Sequence, residues 1–121
     1  MIRILAVDDF YPWLAAVKRI LSADPEFLVV GTALSGPEAL ELIPRLAPDL
    51  VLLDVEMPEM DGLQVAREIS KTAPGTRIIF LSAIDCPGVI KAAIDAGASA
   101  YVHKLNAGAN LVRSIRAALQ R

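Results

Sequence analysis

The chain has 121 residues, 55% of them hydrophobic, and a formal net charge of −2. That length buries one core and not two, and the apolar content excludes a disordered segment. The near-balanced charge leaves no electrostatic footprint for nucleic acid or anionic lipid, so direct DNA binding by this segment is excluded as a leading reading.

In chain order, Ile2–Val7 is a β-rich run and predicts a first strand, with Asp8 and Asp9 immediately after it. Pro12 suits a first helical position. Trp13, Leu14, Val17, Ile20 and Leu21 then repeat at helical spacing, with Lys18 and Arg19 on the other side. Phe27–Thr32 reads as the second strand. Ala39, Leu40, Ile43 and Leu46 mark a second helix, and Pro44 inside it removes a hydrogen bond and is expected to kink or shorten it. Leu50–Leu53 is the third strand and ends at Asp54. Met57-Pro58 and Asp61-Gly62 read as the turn into a third helix, which uses Leu63, Ala66, Ile69 and Ser70 and ends near Pro74-Gly75. Arg77–Leu81 is the fourth strand, followed by Ser82. A fourth helix begins near Pro87 and closes at Gly97, a C-terminal cap. Ala100–Val102 is the last strand, with Lys104 just past it. Leu111, Val112, Ile115, Ala118 and Leu119 form the buried stripe of a fifth helix expected to run to Arg121. Arg113 and Arg116 fall on its outer, solvated face.

Most of the strands are apolar at nearly every position rather than alternating, the signature of a sheet covered on both faces. Strict alternation of five strands with five helices predicts a doubly wound α/β fold with a mostly parallel sheet. The flavodoxin-like order 2-1-3-4-5 suits five units and sets strands one and three side by side at the switch point. Asp8, Asp9, Asp54, Ser82 and Lys104 would then project from one carboxyl edge, where open α/β sheets bind ligands.

Three carboxylates packed together repel unless a cation joins them. An oxygen-only ligand set points to Mg²⁺, held by Asp9 and Asp54 with Asp8 close or acting through water. Asp54 is the candidate nucleophile, since a carboxylate can attack phosphorus to form an acyl phosphate. Lys104 is a mobile point charge suited to a phosphoryl oxygen, and Ser82 can hydrogen-bond another. Each residue alone has a plainer explanation. An Asp pair can be a helix N-terminal acid cluster, Asp54 can cap a turn, and a lone lysine is usually solvated. Those explanations would have to hold independently at four strand ends.

The remaining singular residues read plainly. Cys86 is the only cysteine, which excludes an internal disulfide and a cysteine metal cluster and points to a reducing, cytoplasmic setting. His103 is the only histidine, has no spaced ligand partner, and reads as a surface or strand-edge residue. Phe10, Tyr11 and Trp13 have no interleaved basic residues, so core or rim packing is expected of them rather than base stacking. No apolar run reaches the ~20 residues that span a bilayer, so no membrane partner is expected. The N-terminal run is too short, and too acidic at its end, for a signal peptide.

These residues resemble the receiver domain of bacterial two-component response regulators. The matching stretches are Val7-Asp8-Asp9, the run from Pro48-Asp49 through Asp54-Val55-Glu56-Met57-Pro58-Glu59-Met60-Asp61-Gly62, Leu81-Ser82-Ala83, and Ala96-Gly97 through Tyr101-Val102-His103-Lys104. They occur in order along essentially the whole chain, 1–121. Phe27-Leu28-Val29-Val30-Gly31 and the ending after Lys104 look most like receivers of the NarL/LuxR-type transcription regulators.

The resemblance implies that Asp54 is the phosphoacceptor and takes its phosphoryl group from the phosphohistidine of a sensor histidine kinase. It implies Mg²⁺ held by Asp8, Asp9, Asp54 and the backbone carbonyl of Glu56. Ser82 and Tyr101 would be a switch pair, and Lys104 would pair with the phosphate. The face of helix four, strand five and helix five, or that of helices one and five, would meet a second protomer. DNA would be contacted only through an output domain that follows the receiver. The chain departs from the family in having Leu105 where proline often follows the lysine. Asn106-Ala107-Gly108-Ala109-Asn110 replaces the usual acidic helix start, so the fifth helix should begin loosely. Pro44 and the bulky Phe10-Tyr11-Pro12-Trp13 are also unusual. Other readings are an aspartyl-phosphate hydrolase, with Glu56 two residues after Asp54, and a flavodoxin-like cofactor binder. The second would need a Ser/Thr/Gly-rich loop where the acids stand. A receiver acting by binding alone is a further reading.

Overall fold

The computed structural model describes residues 1–120. Five strands, β1 (Ile2–Val7), β2 (Phe27–Ala33), β3 (Leu50–Leu53), β4 (Arg77–Ser82) and β5 (Ala100–His103), alternate with five helices. The helices are α1 (Tyr11–Ser22), α2 (Gly36–Leu46), α3 (Gly62–Thr72), α4 (Pro87–Asp95) and α5 (Ala107–Leu119). All pairings are parallel and the order is β2-β1-β3-β4-β5, as expected from the sequence. Ser82 and His103 are the final residues of their strands rather than the first beyond them, and they stand opposite each other. No helix is long and apolar enough to cross a membrane among the described residues.

The strands bury both faces, which is why their sequences do not alternate in polarity. Leu5, Val7, Val51, Leu53, Ile78 and Phe80 face one way, onto Ile43 of α2, Val65 and Ile69 of α3 and Ala93 of α4. Ile4, Ala6, Leu50, Leu52, Ile79 and Leu81 face the other, onto Leu14, Val17 and Leu21 of α1 and Leu111 and Ile115 of α5. Helices α1 and α5 therefore flank the same side of the sheet.

Pro44 does not divide α2, because the helix ends two residues later at Leu46, in keeping with the expected shortening. The chain leaves through Ala47 in the left-handed region, φ 47° and ψ 58°, with its N–H donating to the Ile43 carbonyl. Arg3 donates from its guanidinium to the Leu46 carbonyl at 2.5 Å, satisfying another of the end carbonyls. An exposed alanine in this conformation carries a Cβ penalty of about 1–2 kcal/mol. Glycine removes that penalty but gives back part of it through the unfolded chain. Ala47→Gly is therefore expected to stabilise the protein by about 0.5–1 kcal/mol, seen as a higher urea midpoint at unchanged slope. A lower midpoint would contradict this account of the helix end.

The fifth helix does begin loosely. A 3-10 turn, Lys104–Asn106, precedes α5, and Asn106 makes no side-chain capping bond. His103, at the edge strand as expected, accepts the Leu105 N–H on Nδ1 and starts that turn. The far end of α5 differs from expectation in two respects. The helix stops at Leu119 because Gln120 is extended, and Arg121 lies outside the described residues. Arg116 is not simply on a solvated face. It forms ion pairs with Asp24 and Glu26 in the α1–β2 connection and lies 5.3 Å from the centre of the Phe27 ring.

Candidate functional site

Strands β1 and β3 are neighbours with Val7 opposite Leu53, so the residues that follow each are forced together. The Asp54 N–H donates to the Val7 carbonyl and the Asp8 N–H to the Ala33 carbonyl, both at 3.1 Å, extending the ladders past the strands. Asp8 and Asp54 are 2% and 7% exposed, unlike the exposed Asp9. Each buried carboxylate spends its Oδ1 locally. Asp8 accepts the Phe10 N–H at 2.9 Å and Asp54 the Val55 N–H at 2.8 Å.

The Oδ2 atoms meet Lys104, whose Nζ stands 2.7 Å from Asp8 and 3.6 Å from Asp54. The closer contact is an ion pair without hydrogen-bond alignment, so Asp8 Oδ2 is buried with charge nearby but no directed donor. Burial, and then the charge of Asp8, raise the Asp54 pKa above the usual carboxylate value. Lys104, Ser82 and the Val55 N–H offset this only in part.

The donor chemistry fits a hard divalent cation. Asp8, Asp9 and Asp54 each offer a carboxylate oxygen, the three within 4.8 Å of one another, and Asp8 also carries the orphaned Oδ2. Glu56 belongs to the same rim. With Asp9, Val55, Met57, Pro58 and Asp61 it lines an open cleft of about 410 Å³ beside the acids. A larger cavity, about 560 Å³, lies at the opposite end of the sheet under α2 and α3 and contains none of the reacting candidates.

Ser82 is 1% exposed, and its Oγ accepts the Ile84 N–H at 3.1 Å. Tyr101, half-buried, donates its hydroxyl to the Ile84 carbonyl at 2.7 Å and stacks on Phe80 at 6.1 Å. Both members of the expected switch pair therefore hold the peptide groups of one residue, Ile84, in the β4–α4 connection. The sequence gives no signal for Ile84, because its role is carried by its backbone.

Two further residues at the site differ from the sequence expectation. Gly62 reads there as part of a turn. In the structure it starts α3 so close to the Asp54 carbonyl that a Cβ would stand 2.0 Å from that oxygen. Trp13 reads as core or rim packing. It does pack against the α1/α5 core, but its ring also lies 5.2 Å from the Lys104 ammonium. Phe10 and Tyr11, expected to pack like Trp13, are instead 61% and 66% exposed. They sit at the helix start, where the chain turns away from the sheet. Cys86 is exposed at the N-terminus of α4.

Fold and site together define a flavodoxin-like α/β domain with an acidic crevice at the carboxyl edge of its sheet, the class that contains the CheY-like receivers. The chain belongs to the response regulator receiver domain family, whose profile matches residues 4–116. It is 46% identical over 105 residues to a protein-glutamate methylesterase/protein-glutamine glutaminase of Nocardioides, covering 85% of this chain and 29% of that protein. It is 31% identical over 119 residues to the transcriptional regulatory protein DegU of Brevibacillus brevis, covering 98% and 50%. The receiver domain of the response regulator NarL from Mycobacterium tuberculosis superposes with a TM-score of 0.92 at 36% identity, covering 99% and 98% of the two chains. The response regulator domain of Thermotoga maritima CheB gives 0.92 at 30%, covering 100% and 98%.

The chain is thus a receiver of two-component signal transduction, and its solved neighbours include receivers of the NarL/LuxR type. Receivers are signalling domains that bind Mg²⁺ at an acidic pocket and interact with sensor kinases and other partners. With the family shown, the hydrolase and cofactor-binder readings have no support. The chain spans half or less of the length of the Nocardioides and Brevibacillus relatives.

Proposed function

We propose that Asp54 accepts a phosphoryl group from the phosphohistidine of a sensor histidine kinase and that the modified crevice switches a downstream output. A carboxylate oxygen of Asp54 attacks phosphorus as the phosphorus–nitrogen bond of the donor breaks, leaving an acyl phosphate. Asp8, Asp9, Asp54 and the Glu56 carbonyl would hold Mg²⁺, which supplies charge neutralisation for the transferring group. Asp8 and Asp54 orient this site through their Oδ1 hydrogen bonds, which leave each Oδ2 to face Lys104. Lys104 holds one phosphoryl oxygen. Ser82 can hydrogen-bond another by giving up the Ile84 N–H, and Tyr101 would follow because it holds the same residue.

The single observation that carries this reading is the convergence of two buried aspartates and a lysine, with contacts of 2.7 and 3.6 Å, at the carboxyl edge. The output we infer is transcription regulation in the cytoplasm, through a DNA-binding domain following the receiver. Similarity to DegU and to the NarL receiver over nearly the whole chain supports it. The methylesterase relative supports an enzymatic output as the second reading. A second protomer would dock on α4, β5 and α5, or on α1 and α5. Incubation with acetyl phosphate and Mg²⁺ is expected to add the mass of one phosphoryl group, and peptide mapping after borohydride trapping should locate it at Asp54. A group found elsewhere, or none, would overturn the assignment.

A further inference from the structure

We infer that Trp13 is a positioning residue for Lys104, holding its ammonium in the crevice when the carboxylates are engaged elsewhere. The inference rests on the reading of Lys104 as the partner of the phosphoryl group. Lys104 has three close partners: the Oδ2 atoms of Asp8 and Asp54, and the face of the Trp13 ring at 5.2 Å. That distance is inside the ~6 Å range in which an aromatic face attracts a cation. Two of the three partners are the oxygens a divalent cation would take. The like charge of such a cation would also push the ammonium away from them. The indole offers no ligand oxygen and is the partner that remains.

Local structure leaves few other anchors for this side chain. Lys104 opens a 3-10 turn, and the next residue, Leu105, is 88% exposed and packs on little. The lysine side chain itself is only 20% exposed, so something must keep it inward. Trp13 is placed to do so by the fold. Helices α1 and α5 share one face of the sheet, and Trp13 in the first turn of α1 comes close to Lys104 just past β5. The indole is itself held by packing against that core, whereas its neighbours Phe10 and Tyr11 turn outward. A fixed ring is a fixed seat for the cation.

Trp13 is the only tryptophan in the chain, so its emission reads this contact directly. In metal-free protein, Lys104→Met is expected to change the intensity or position of the emission band. Identical spectra would overturn the contact. With acetyl phosphate and Mg²⁺, Trp13→Leu is expected to slow phosphoryl uptake about five-fold, the loss of one partly exposed cation–π contact. Trp13→Phe, which keeps an aromatic face, should recover most of the rate. Equal losses in the two variants, or no loss in either, would overturn the proposal. A merely structural role is separated by a double-mutant cycle. In the Lys104→Met background, Trp13→Leu should change the residual rate by less than about two-fold. An undiminished five-fold loss there would assign the effect to packing. If the unaltered protein takes up no phosphoryl group, the reading of the site fails. The metal-free spectra still decide whether Trp13 seats the lysine.

Discussion

Asp54→Asn is expected to abolish phosphoryl uptake from acetyl phosphate and, in the same protein, to raise metal-free stability at neutral pH. The first effect follows from loss of the nucleophilic oxygen. The second follows from the cost of the charge. Asp54 is buried beside Asp8, and its folded pKa is raised, first by desolvation and then by that neighbour. The native state therefore holds the Asp54 proton more tightly than the unfolded chain does. Stability from this group is fully present below its unfolded pKa of about 4. It is lost as pH rises through the raised folded value.

Asparagine keeps an oxygen for the Val55 N–H and removes the charge from beside Asp8. The gain at pH 7 should be on the order of 1 kcal/mol, a few degrees in Tm. It should shrink toward zero as both proteins are taken below pH 4. Saturating Mg²⁺ should narrow or reverse the difference, because the cation stabilises the protein whose ligands are intact. Melting curves at several pH values, with and without Mg²⁺, read all of this. A lower Tm for the variant in metal-free buffer at pH 7 would contradict the account of Asp54 as a strained buried charge.

Much of this architecture is legible in the sequence because it is written in local patterns. Uniformly apolar runs such as Leu50–Leu53 announce a strand covered on both faces, and helical spacing in α1 and α5 announces the covering. Once the order is fixed, the carboxyl ends of β1 and β3 must adjoin, and Asp8 and Asp54 come with them. What is illegible depends on approach distances between segments far apart in the chain. Nothing near Trp13 signals Lys104, and nothing near Arg116 signals Asp24, Glu26 and Phe27. Pro44 acts locally: its disruption depends on how much helix follows, and here only two residues do. Ala47 shows the same limit, since no propensity rule places a non-glycine residue in the left-handed region; the chain must reverse there to enter β3.

Gly62→Ala is expected to be the most damaging single-methyl change near the site. A Cβ at Gly62 would stand 2.0 Å from the Asp54 carbonyl oxygen, 2.9 Å from its carbon and 3.0 Å from Cε1 of Phe80. The first two are backbone, and Phe80 is fully buried, so no flexible side-chain end can yield. The start of α3 is also pinned: Gly62 donates to the Val55 carbonyl at 2.8 Å, and Asp61 and Gln64 cap the helix reciprocally. Helix α3 or the Asp54–Val55 peptide must therefore move. Overpacking of this kind costs about 3 kcal/mol, roughly 10 °C in Tm. Displacement of Asp54 by as little as ~1 Å should slow phosphoryl uptake about 100-fold even where the variant remains folded. Gly75→Ala is the matched control, because a Cβ there meets nothing within 4 Å and should leave both properties unchanged. If Gly62→Ala melts and phosphorylates like the Gly75 variant, α3 does not abut the phosphoacceptor peptide, and the acids are not held by the packing described above.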